Sequence, residues 1–185
     1  MALRRGFKTE ANTYAREIRT DLGLASDAPL CPFMTANHLA VPVRKLSSFS
    51  AVLPDQTACL SRKGSGLGFS AMTACLGRER VIIYNDYLPL TRAHADIMHE
   101  ISHLMLLHPP HQLRADTGGR HFDNDLEEEA NWLGPALLVS EEAALSIAQR
   151  GMSPNQAAKI YKVSPSLMQM RLNVTGAMRR VARVT

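Results

Sequence analysis

The stretch His99-Glu100-Ile101-Ser102-His103 constrains this chain more than any other. The run from Leu90 to His108 contains neither proline nor glycine, which predicts a helix with Thr91 as its N-cap. Helical residues advance by about 100°, so His99 and His103 stand one turn apart on the same face. Two imidazoles at that spacing can reach one metal ion, and Glu100 lies beside them, placed as a general base toward water. Ile97, Ile101 and Leu104 project to the opposite side, with Met98 and Met105 flanking. A helix apolar on nearly every side is expected to be buried. Buried histidines and a buried glutamate need partners, and a metal ion supplies them.

The five-residue pattern is the H-E-x-x-H signature of zinc peptidases, and it outweighs the plainer alternative of two core histidines at helical spacing. A catalytic zinc site needs a third protein ligand, with a fourth position left for water. The acidic run at 127–129 offers one. Leu126, Ala130, Leu133 and Leu137 mark a buried helical stripe, with Glu127 and Glu129 on either side of it and Glu128 directed to solvent. Glu127 is preferred, because Asn131 follows one turn later on its face and can support a ligand by hydrogen bonding. Glu129 has Leu133 in that place and stands as the alternative. The donor set suits Zn2+ and also admits Mn2+ or Fe2+. The other histidines have weaker claims. His108, at the helix end, reads as a capping group, and His94 points away from the metal face. His111 and His121 fall in the following loop, and His38 has no ligand spacing around it.

A chain of 185 residues suits one domain with an appendage, and its composition is that of an ordinary globular protein. The net charge of +4 is unevenly spread. Residues 90–142 are strongly acidic, which fits a cation site. Residues 143–185 carry basic side chains and no acidic ones. Such a tail fits an acidic partner such as nucleic acid, or packing on the acidic middle. Cys31, Cys59 and Cys75 form no C-x-x-C pair and read as reduced thiols of a cytoplasmic protein. The N-terminal residues lack the apolar core of a signal peptide, and no apolar run is long enough to span a membrane.

In chain order, the patterns predict a helix over 8–22 closed by Gly23, and a short helix around 33–40. Strands are expected at Phe49–Leu53, Thr57–Ser61, Phe69–Leu76 and Arg80–Tyr84, the last two joined as a hairpin through residues 77–79. The fold class is therefore α+β: a small, mainly antiparallel sheet packed on the buried H-E-x-x-H helix. A polar loop over 109–124 is a candidate rim or lid. Asp125 is the expected cap of the acidic helix, which Gly134-Pro135 should bend. Helices starting at Ser140, Ser153 and Ser164 follow, and residues 179–183 are expected to be disordered. The expected division is a metallopeptidase domain over 1–140 and a C-terminal helical segment over 141–185.

His99-Glu-Ile-Ser-His-Leu-Met-Leu-Leu-His-Pro109, followed by Glu127-x-Glu-Ala-Asn131, resembles the ImmA/IrrE family of zinc metallopeptidases. Weaker likeness extends over residues 7–172. The resemblance implies His99, His103 and Glu127 as ligands and Glu100 as the catalytic glutamate. It also implies endopeptidase action on a protein partner, since known members cleave a DNA-binding repressor often encoded nearby. The chain departs from the family pattern at Trp132-Leu133-Gly134-Pro135, beneath the expected site. His121 and Tyr87 are candidates for a second oxyanion donor. Two competing readings remain. One is a DNA-binding module, because residues 157–172 have a helix-turn-helix outline in a basic tail. The other is a regulator-binding protein with a vestigial site.

Overall fold

A computed structural model describes residues 3–61, 69–77, 79–109 and 123–183. The chain folds as α1 (Phe7–Asp21), α2 (Pro32–His38), β1 (Val43–Lys45), a 3-10 turn (Leu46–Phe49), α3 (Pro54–Ser61), β2 (Ala71–Leu76) and β3 (Glu79–Tyr84). There follow α4 (Leu90–Met105), α5 (Asn124–Leu138), α6 (Glu141–Gln149), α7 (Pro154–Tyr161), α8 (Pro165–Val174) and α9 (Ala177–Val181). This is the expected α+β class.

The sheet has the order β1-β3-β2 and is mixed. β2 and β3 form the expected antiparallel hairpin, turning at Gly77 with φ +61°. β1 runs parallel to β3, with Val43 opposite Ile82 and Lys45 opposite Tyr84. Two of the expected strands are absent. Phe49 ends the 3-10 turn, and Thr57–Ser61 lies inside α3. Leu53-Pro54-Asp55 looks like a strand break, yet proline in the first turn with an acid beside it is also a helix start. Asp86 clips the turn after β1 to the end of β3, accepting from the Ser47 amide at 3.0 Å and its hydroxyl at 2.6 Å.

α4 packs against β2, β3, α2 and α5. Its N-cap is Pro89, two residues before the expected Thr91. α5 is capped by Asp123 rather than Asp125: the Asp123 carboxylate accepts the Asp125 amide at 3.0 Å. α5 runs on through Pro135. The missing proline N–H would have met the carbonyl of Asn131, an exposed residue where water can take its place. Ser140, Ser153 and Ser164 cap α6, α7 and α8 as expected. Residues 179–181, expected to be disordered, belong to α9, which packs on α6 with Ala177 buried and Arg180 paired to Glu141.

Two buried arginines hold the C-terminal end of α5. Arg19 donates to the carbonyls of Ala15 (2.8 Å), Ala28 (2.9 Å) and Leu137 (2.8 Å). Arg171 donates to the Val139 carbonyl at 2.9 Å. Cations there complement the helix dipole. Burial lowers both guanidinium pKa values to about 10, so both stay charged at neutral pH. One apolar core runs from Phe7 and Ile18 through Ile97, Ile101 and Leu137 to Met168 and Leu172, continuous across residue 140.

Candidate metal centre

The third and fourth turns of α4 carry His99, Glu100 and His103, and the first turn of α5 carries Glu127. α5 comes close because Gly134 faces α4. A Cβ there would meet the His99 amide nitrogen and the Ser102 hydroxyl at 3.4 Å. Gly134→Ala should therefore be accommodated and, gaining helix propensity, raise stability by up to about 1 kcal/mol. Gly134→Leu should force the helices apart and lower the denaturation midpoint together with metal uptake. Equal midpoints for the alanine and leucine variants would refute this close-packing argument.

The geometry brings the four residues together. His103 Nε2 lies 3.1 Å from His99 Nε2 and 3.3 Å from Glu127 Oε1, and His99 Nε2 lies 3.4 Å from Glu127 Oε2. Among the described residues, His99, His103 and Glu127 form the group able to hold a metal ion. Nitrogen and oxygen ligands at about 2.0–2.1 Å around a tetrahedral ion stand roughly 3.3 Å apart, so the donor triangle fits such an ion. Hydrogen bonds from His103 and His99 hold the Glu127 carboxyl well below the usual carboxylate range. Burial works against a charged His99, but the Glu127 hydrogen bond and the charges of Glu100, Glu127 and Asp96 outweigh it and raise its pKa.

Glu100 is buried beside the triangle, and its Oε2 accepts the Thr73 hydroxyl at 2.7 Å. Thr73 reaches it from β2, on the sheet face that α4 covers. Next to Glu100 and His103 lies a cavity of about 30 Å³ bounded by Thr73, Cys75, Arg80, Leu104, His108 and Pro109. That is space for a water molecule.

Asn131 does not take the expected supporting role. It is exposed and makes no hydrogen bond to His99, His103 or Glu127. The pitch of α5 turns it outward, beyond the ligands. Support comes from a residue read only as a cap. His108 is buried, with Nδ1 2.8 Å from His103 Nδ1 and Nε2 3.3 Å from Glu129 Oε2. Burial pushes its pKa down despite Glu129, which favours the neutral ring. α4 ends at Met105, and Leu107 at φ +55° turns the chain back, so the His108 amide bonds the His103 carbonyl at 3.0 Å. The Leu107 amide bonds the Leu104 carbonyl at 3.2 Å, completing a Schellman closure. The available signal was His108 five residues after His103 and just before Pro109, where a reversed chain returns to the last turn.

Glu129 pairs with Arg4 at 2.7 Å and with His108, and it does not join the donor triangle. Tyr87 precedes α4 and is exposed. His111, His121 and most of the 109–124 loop lie outside the described residues.

A peptidase family model described as the IrrE N-terminal-like domain matches residues 60–173. The match spans β2, β3, α4, α5 and the C-terminal helices through most of α8. No curated protein matches the chain.

Proposed function

The chain belongs to the IrrE N-terminal-like peptidase family, and on that premise we propose that it is a zinc-dependent endopeptidase cleaving a protein substrate. The observation that carries the proposal is the donor triangle of His99, His103 and Glu127 with the Glu100 carboxylate beside it. Two neutral imidazoles and a carboxylate suit zinc. Bound there, the ion would supply Lewis acidity and draw the pKa of water toward neutrality.

The chain's own residues do the rest. Thr73 fixes one oxygen of Glu100 and leaves the other to take the proton as water attacks the scissile carbonyl. Glu100 then returns that proton to the amine nitrogen as the C–N bond breaks. β2 is the outer strand of the sheet, with its far edge unpaired among the described residues, and it packs on α4. An extended substrate can add there as a further strand, its main chain held by strand hydrogen bonds beside Glu100.

The sequence resemblance supports a DNA-binding repressor as the substrate, and the free cysteines Cys31, Cys59 and Cys75 support a cytoplasmic setting. No helix among the described residues is long and apolar enough to cross a membrane. The alternative of a DNA-binding tail loses one of its contacts. Arg171 is 2% exposed and donates to the Val139 carbonyl, so it is not presented to phosphate. Arg180 is engaged with Glu141. Part of the tail's charge thus serves packing on the acidic middle.

Elemental analysis of the purified protein should find one zinc per chain. Glu127→Ala should lose most of that metal and Glu128→Ala should keep it. A full site in Glu127→Ala, with an empty one in Glu129→Ala, would overturn the ligand assignment. Incubation with the repressor encoded beside the gene should give defined fragments that a chelator prevents. Stoichiometric binding without cleavage would favour a vestigial site.

A further inference from the structure

We propose that the groove beside β3 is a second substrate site, which takes an extended peptide segment carrying an acidic side chain. The groove measures about 710 Å³ and lies between residues 40–42 and residues 79–81 of β3, with Arg44 also on its wall. Its size is that of a ligand site. Strand register explains why it is there. β1 pairs with β3 only over residues 82–84, so residues 79–81 run past its start. The Ile82 amide donates to the Pro42 carbonyl at 2.9 Å, but Pro42 has no N–H to give back to β3. Ala40, at φ +55°, then takes the chain out of the extended path. Among the described residues, the β1 side of β3 is therefore an open strand edge over 79–81, and an open edge can hold a peptide main chain.

The lining decides what side chain the peptide carries. Arg80 stands opposite Cys75 and shares a face with Ile82 and Thr73, half-buried on the side that α4 covers. It lines both the groove and the small cavity beside Glu100 and His103. Arg44 is exposed. Among the described residues, neither guanidinium has an ion-pair partner. A half-buried guanidinium without a counter-ion is best satisfied by a carboxylate, which it can meet with two parallel hydrogen bonds. A nucleic acid fits less well. Glu79 would repel phosphate, and no aromatic side chain among the described residues lines the groove to stack on a base. The groove and the outer edge of β2 lie on opposite sides of one hairpin. A protein substrate can fill both at once, and its acidic segment then raises the local concentration of the scissile one.

That role in cleavage rests on the peptidase reading, whereas binding to the groove does not, so binding is measured without turnover. The probe is a fluorescein-labelled octapeptide alternating threonine and glutamate, with glutamine and lysine versions as controls. Each is titrated by anisotropy with the protein in the Glu100→Gln background. The glutamate probe should bind about 10-fold tighter than either control. Arg80→Ala should remove that preference, and Arg44→Ala should weaken binding about 2- to 5-fold. Arg80→Glu should reverse the preference in favour of the lysine probe. Equal binding of the three probes, or an unchanged preference in Arg80→Glu, would overturn the proposal. So would a single-stranded DNA octamer that binds tighter than the glutamate probe and is released by Arg80→Ala. In cleavage of the protein substrate, Arg44→Ala should act on KM rather than on kcat. Probe binding as expected in a wild-type protein that cleaves no substrate would refute the peptidase reading and leave the groove assignment standing.

Discussion

Glu100→Gln is expected to retain the metal and lower peptide hydrolysis by about 10²–10⁴-fold, the usual worth of a positioned general base. Glutamine matches glutamate in shape, and its amide oxygen can still accept the Thr73 hydroxyl that Glu100 Oε2 accepts at 2.7 Å. The buried packing beneath His99 and His103 should therefore survive. The loss is confined to one function: an amide does not take the proton of attacking water or return it to the leaving amine. Turnover of the protein substrate should be measured alongside zinc content, so that a loss of rate is not mistaken for a loss of metal. Wild-type turnover in a fully loaded Glu100→Gln protein would refute the assignment of the base.

Arg19→Ala is expected to destabilise the fold by about 3–5 kcal/mol, since each buried carbonyl left without its donor costs about 1–3 kcal/mol. Against a typical total stability of about 5–15 kcal/mol, that removes a large share. Arg19 is 0% exposed, near the C-terminal end of α1, whose other buried residues are Phe7, Ala11, Ala15 and Ile18. Two of its three donated hydrogen bonds tie α1 to the segment at Ala28 and to the Leu137 carbonyl in the last turn of α5. Removing the guanidinium leaves those carbonyls without this donor and opens a cavity. Arg19→Lys should recover only part of the loss, because an ammonium on a flexible stem does not reproduce the planar fork that serves three acceptors. Urea unfolding followed by circular dichroism reads the difference. A shift below about 1 kcal/mol would show that the network is not a structural anchor.

The two arginines also show where sequence reasoning falls short. In the sequence, Arg19 is a charge at the end of an amphipathic helix and Arg171 one of several basic residues in a tail. Nothing local marks either as buried. Their burial follows from the C-terminal end of α5, whose late carbonyls need donors, and that requirement becomes visible only once α1, α5 and α8 are packed together. The misread strands have a more local cause. Thr57 and Leu60 suit either state, and Pro54-Asp55 opens a helix as readily as it ends a strand.

His99, Glu100 and His103 share one helix, where backbone geometry alone sets their spacing, so the sequence determined their arrangement by itself. The amphipathic helices and their serine caps, the β2–β3 hairpin and the α+β class were set in the same way, by periodicity and local turn chemistry. The tertiary structure decided everything that joins distant segments. It placed Glu127 across from the histidines, set Thr73 against Glu100, and returned His108 to His103 with Glu129 behind it. It also turned Asn131 away from the ligands. The physical reason is one of range: helical spacing is fixed within a few residues, whereas the face a side chain presents to a neighbouring element depends on how closely the two can approach. Here that approach depends on Gly134 lying against the backbone of His99.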